Sequence, residues 1–100
     1  MATHPAYLIG DVYDIHDPER FRGYNRDNPP TIEQYGGRFI VRGGATEVIE
    51  GQWQPGRLVV IRFDSMEALK RWYSSPEYRR VWSERQASAR SNIVFVEGVG

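Results

Sequence analysis

Apolar and polar side chains alternate from Tyr7 to Tyr13 in a run rich in β-formers, which predicts a first strand. Asp17-Pro18 then supplies an N-cap and a proline at the first helical position. Phe21, Tyr24, Ile32 and Tyr35 give that helix its apolar stripe. Asn28-Pro29-Pro30 is expected to interrupt or kink it, because two prolines remove amide donors and restrict the residue before them. Gly36-Gly37 ends it. Arg38 to Arg42 reads as a second strand, Gly43-Gly44 as a turn, and Thr46 to Glu50 as a short extra strand folding back. A loop from Gly51 to Gly56 leads into a third strand, Arg57 to Phe63. Asp64 or Ser65 caps a helix through Tyr73, with Glu67 placed as in a capping box. Ser75-Pro76 starts another helix, with Tyr78, Val81, Trp82, Arg85 and Ala89 along one face. Ile93 to Val96 is the last strand.

Strand, helix, strand, strand, helix, strand is the order of a split pair of βαβ units. It predicts an α+β fold of the ferredoxin-like βαββαβ kind: a four-stranded antiparallel sheet with helices on one face. The 100 residues suit one domain, residues 1–100, without room for a second core. Alternation sorts the strands into two faces. Leu8, Gly10, Val12, Phe39, Val41, Val59, Ile61 and Phe63 form a wholly apolar face that belongs under the helices. Tyr7, Ile9, Asp11, Tyr13, Arg38, Ile40, Arg42, Leu58, Val60 and Arg62 form the other. Left open to water, that second face exposes a large apolar patch. A second copy packed against it, sheet to sheet, covers it, and a homodimer is expected.

Charge narrows the partners. Lys+Arg 13 balance Asp+Glu 13, which excludes a nucleic-acid binder driven by general positive charge. Twelve of the basic residues are arginine and only Lys70 is lysine, a bias that points to a GC-rich bacterial genome. Cysteine is absent, so disulfides, thiolate metal sites and a cysteine nucleophile are excluded. The longest apolar run, Leu58 to Ile61, is too short to span a membrane, and Met1 to Pro5 lack signal-peptide character. A cytoplasmic protein without membrane association is expected.

The candidate chemistry collects on the second face. Asp11, Arg38, Arg42 and Arg62 share it with the phenols of Tyr7 and Tyr13. They fit an ion-pair network, Asp11 with an arginine, inside a dimer core. They also fit a small pocket in which arginine holds a carboxylate and Tyr or Asp moves protons. In the pocket version Asp11 or His16 is the base, Arg38 and Arg42 anchor an anion, and Tyr13, Tyr24, Tyr35, Trp53 and Arg62 line the ligand. Asp14-Ile15-His16 offers two metal-type ligands without a third, so no metal is expected. Ser65 and Ser75 are accounted for as helix caps, and no serine has a nucleophile elbow around it. The glycine pairs lack the helix-opening context of a phosphate loop. An RNA-recognition module shares the strand order, but its third strand carries stacking aromatics on the open face, where this chain has Leu58, Val60 and Arg62. Nucleic-acid binding is not expected.

The run Tyr35-Gly36-Gly37-Arg38-Phe39-Ile40-Val41-Arg42-Gly43-Gly44 closely resembles the domain of unknown function 1330 family. Glu47 to Gly51, Trp53, Pro55, Arg57, Val59 to Phe63, Ser65, Trp72 to Tyr78, Arg85 and Val96-Glu97-Gly98 continue the match. The resemblance implies a small bacterial protein of the dimeric α+β barrel superfamily, which also holds cofactor-free monooxygenases, muconolactone-isomerase-like proteins and haem-degrading enzymes. No established reaction comes with the family. The implied activity is cofactor-free proton transfer or oxygenation on a small anionic or aromatic metabolite, the competing function a non-catalytic ligand-binding or interaction module. Neither His4 nor His16 is placed as a haem ligand, and no cofactor is expected. Arg62 stands where the family usually has Glu, which makes the expected cavity more cationic or re-pairs Arg62 with Asp11.

Overall fold

Each helix begins where a side chain can cap it. A computed structural model describes residues 4–100; Met1 to Thr3, read above for a leader, lie outside the described residues. Asp17 accepts from the Arg20 amide at 3.2 Å and opens helix α1, Pro18–Gln34. Ser65, rather than Asp64, caps α2, Met66–Tyr73, by accepting from the Ala68 amide at 3.1 Å. Ser75 caps α3, Pro76–Ser88, and also donates to the Trp72 carbonyl at 2.7 Å, tying the end of α2 to the start of α3.

The strands are β1 (Ala6–Tyr13), β2 (Arg38–Arg42), β3 (Arg57–Phe63) and β4 (Arg90–Glu97). They form one antiparallel sheet in the order β2-β3-β1-β4, the ferredoxin-like arrangement, with the helices on one side. Leu8, Val12, Phe21, Tyr24, Ile32, Ile61, Phe63, Leu69, Trp72 and Tyr78 are the buried core between the two layers. No helix among the described residues is long and apolar enough to cross a membrane.

Three local expectations are corrected. The tandem prolines do not interrupt α1, which runs on through Pro29 and Pro30. Pro29 has no amide to offer the Asn25 carbonyl one turn back. Arg42 Nη2 donates to that carbonyl instead, at 2.8 Å. Thr46 to Glu50 form no strand; the chain between β2 and β3 is irregular, and Ile49 there is 80% exposed with nothing to pair against.

The third correction changes the site. Phe39 pairs with Ile61 and Val41 with Val60, so Ile40 is an extra residue in the ladder, a β-bulge. One inserted residue reverses the faces beyond it. Val41 therefore lies on the open face and Arg42 on the helix side, opposite the assignment that strict alternation gives.

Candidate ligand-binding site

The strand register fixes the floor of a cavity under the helices. One row across the sheet is Arg57, Val12 and Ser91; the adjacent row is Arg42, Val59, Gly10 and Ile93. A side chain at Gly10 would strike Ile93 Cδ1 at 2.9 Å and Val59 Cγ2 at 3.0 Å, so the floor closes over a bare backbone. Phe21, Tyr24, Asn25 and Asn28 of α1 form the roof, with Trp72, Tyr78 and Arg85 behind them. The cavity volume is about 30 Å³. That is well below the usual span of small-molecule sites, so the interior is a narrow slot that a flat ligand enters only by parting its walls.

Its charge is one-sided. Arg42, Arg57 and Arg85 line the cavity and no Asp or Glu does. None of the three joins an ion pair among the described residues. Arg42 lies over the Phe39 ring, 4.6 Å from its centre. The Arg57 guanidinium packs against Gly43, whose φ of +68° and lack of a Cβ leave it room. Burial, and then the neighbouring charge of Arg42, lowers the pKa of Arg57. Two cations side by side without a counter-ion repel each other, and a bound anion relieves both.

A buried polar chain borders the slot. Asn28 Nδ2 donates to the Tyr24 oxygen at 3.2 Å, and the hydroxyls of Tyr24 and Tyr78 are 3.0 Å apart. Thr31 Oγ1 donates to the Asn28 carbonyl and accepts from Trp72 Nε1 at 3.0 Å. Desolvation, with Tyr78 beside it, raises the Tyr24 pKa well above the ordinary phenol value, so the hydroxyl keeps its proton. Arg85 is 3% exposed. Burial pulls its pKa down, and the phenol oxygens of Tyr78 and Tyr24 more than offset that.

Of the residues expected to form the site, only Tyr24 and Arg42 line this cavity. Asp11 lies on the opposite face of the sheet and pairs with no arginine. Its Oδ2 accepts from Trp53 Nε1 at 2.9 Å and its Oδ1 from the Gly56 amide at 2.8 Å, so it ties the β2–β3 loop to the sheet. Trp53 is 60% exposed on that same side. His16 is exposed beyond the end of β1, with Nδ1 3.2 Å from the Asp14 carbonyl and Nε2 3.1 Å from that of Ala87. Tyr35 donates to Glu77 Oε1 at 2.8 Å at the outer end of α3. Arg62 pairs with Asp64 at 2.9 Å, not with Asp11. Arg38 stands opposite Arg62 on the open face, and Tyr13 ends β1 there.

Arg57 and Arg85 were not among the expected ligand residues, although each carried a signal. Arg57 is in phase with Val59, Ile61 and Phe63, and Arg85 interrupts the apolar stripe of α3. A charge at an inward position is the mark both share. Asn25, Asn28 and Tyr78 gave none beyond their helix face.

This sheet order, with the helices on one side and the slot between the layers, defines a ferredoxin-like α+β protein. The chain belongs to the family described as domain of unknown function (DUF1330), whose model matches residues 5–99. No curated protein matches it. Among solved structures it resembles the RPA0582 protein of unknown function from Rhodopseudomonas palustris, at 20% identity and a TM-score of 0.77, over 97% of this chain and 84% of that one. SnoaB, a cofactor-independent oxygenase from Streptomyces nogalater, matches at 13% identity and a TM-score of 0.61, over 99% and 96% of the two chains. A dimeric ferredoxin-like protein of unknown function from Thermobifida fusca matches at 11% identity and 0.62, over 95% and 92%. At these identities the likeness is one of fold.

Proposed function

We propose that this protein binds a small organic anion with a flat apolar or aromatic body in the slot between sheet and helices, and that it does so as a homodimer joined through the open sheet face. The single observation behind the anion is the Arg42–Arg57 pair, which faces an apolar cavity without a carboxylate on its walls. A carboxylate or enolate bound there gains charge-assisted hydrogen bonds while its body displaces water from Phe21, Phe39 and Trp72. Arg42 thus keeps the anchoring role expected of it, with Arg57 in place of Arg38 as its companion.

Support for the dimer comes from the open face. Ile40, Val41, Val94 and Val96 are exposed there beside Ile9, Leu58 and Val60. The molecule is a slab of 44 × 37 × 16 Å, broad enough for the roughly 800 Å² per partner that stable interfaces bury. The Thermobifida relative of the same fold is dimeric. Because a cofactor-independent oxygenase also shares the fold, oxygen uptake with a bound aromatic anion is the first turnover to assay. Binding without turnover identifies a ligand-binding module.

The test is calorimetric titration of the protein and its Arg57→Met variant with para-toluate, a flat aromatic monocarboxylate. Loss of one charge-assisted contact is worth about 1.5–3 kcal/mol, so the variant is expected to bind roughly 10- to 100-fold more weakly. Equal affinity in the two proteins contradicts the proposal.

A further inference from the structure

We infer that the slot takes a dianion: a ligand with acidic groups at opposite ends of a flat body, one on the Arg42–Arg57 pair and the other on Arg85. The inference rests on the anion-binding proposal above and adds the second head.

Arg85 is a separate cationic centre. Its side chain descends from α3 onto β4, where Nη1 donates to Ser91 Oγ. Ser91 and Arg57 flank Val12 on opposite sides, so their strands are two spacings apart, roughly 10 Å. Between them the floor is Val12, Val59, Gly10 and Ile93, apolar throughout. A monoanion seated on Arg42 and Arg57 leaves Arg85 with neutral companions only: Ser91, Tyr24 and Tyr78.

The guanidinium is also incompletely satisfied. Arg85 lines the cavity, is 3% exposed, and its buried Nε has no hydrogen-bond partner. Nε and Nη2 together form the edge of a guanidinium that meets a carboxylate in two parallel bonds. A buried cation lacking both a counter-charge and a bond at Nε is costly. A second carboxylate at the Arg85 end supplies both at once. The narrowness of the slot, walled by Phe21, Phe39 and Trp72, favours a planar spacer over a branched one.

The test compares three probes by calorimetry on the intact protein. Terephthalate carries carboxylates at both ends, para-toluate has the same outline with one, and phthalate has two on a single edge. Terephthalate is expected to bind at least tenfold more tightly than para-toluate, with phthalate close to para-toluate. Arg85→Gln should erase the terephthalate advantage, weakening terephthalate at least tenfold more than para-toluate; a purely structural Arg85 would weaken both alike. Should that variant not fold, the three probes on the unaltered protein still decide. Equal binding of terephthalate and para-toluate, or phthalate as tight as terephthalate, overturns the second head and leaves the anion proposal standing. If no probe binds, the anion proposal itself fails and the dianion fails with it.

Discussion

The arginines of the slot differ from the paired arginines of the outer surface. On the helix side, Arg42, Arg57 and Arg85 surround an apolar slot and meet neutral groups: a backbone carbonyl, an aromatic ring, a serine and two phenols. Elsewhere, Arg62 pairs with Asp64, Arg20 with Glu84, Arg26 with Asp27 and Arg90 with Asp14, all at the surface. Exposed pairs of that kind are screened by solvent and worth little, and need no ligand to explain them. Arg85, and in part Arg57, carry a desolvation cost with no carboxylate to offset it, while Arg42 stays exposed at the mouth. Missing counter-charges alone do not locate the site, since Arg38 on the open face joins no ion pair among the described residues either; the apolar walls shared by Arg42, Arg57 and Arg85 do.

The largest effects are expected where the two faces are truncated in turn. Trp72→Ala removes a fully buried ring that packs on Phe63 and Tyr78 and donates to Thr31. A loss of about 3–5 kcal/mol is expected in urea unfolding. Asp11→Asn keeps one carbonyl acceptor on the open face but gives up a charge-assisted bond, for a loss of about 1–2 kcal/mol. Its clearest readout is faster hydrogen exchange at the Gly56 amide, with para-toluate affinity unchanged. A fall in affinity as large as that of Arg57→Met would show that the two faces are not independent.

Assembly comes next. Val94 is 55% exposed in the middle of the open face. Val94→Glu places a charge where two copies are proposed to meet, and should convert a dimer to a monomer in sedimentation while the far-ultraviolet circular dichroism stays the same. An unaltered sedimentation coefficient would remove the open face as the interface.

The smallest effect lies at the rim. The Tyr35 hydroxyl, followed by Glu77's own backbone amide, holds the Glu77 carboxyl below its usual range. A carboxylate depressed in the folded state stabilises above its unfolded pKa, about 4.3, and that contribution fades as pH falls through the folded value. Tyr35→Phe should therefore be less stable than the parent at pH 7, with the gap closing below about pH 4. A gap that persists at low pH would assign the loss to packing of the ring.

Much of the fold was legible in local chemistry. Asp17-Pro18 and Ser75-Pro76 declared two helix starts, and alternation placed Tyr7 to Tyr13 of β1 and Leu58 to Phe63 of β3 on the correct faces, though it left Arg57 unassigned. The bulge at Ile40 was not legible, because no glycine or proline marks it, and one inserted residue carried Arg42 from the open face to the cavity. Asp11 was placed on the correct face with the wrong partner. Its bonds come from Trp53 and Gly56, more than forty residues away in an irregular loop, a pairing that strand periodicity cannot reveal. The prolines of α1 looked like a break because the compensating donor, Arg42, lies on another element.

The central claim is that an organic anion sits on the helix side of the sheet between arginines that lack counter-ions. Nitrogen-15 NMR of the arginine Nε–Hε groups during titration with para-toluate tests it most directly. The account predicts that the resonances of Arg42 and Arg57 move together and saturate, while those of Arg38 and Arg62 on the opposite face stay in place. Movement of Arg38 and Arg62 instead, or of no arginine at all, would contradict it.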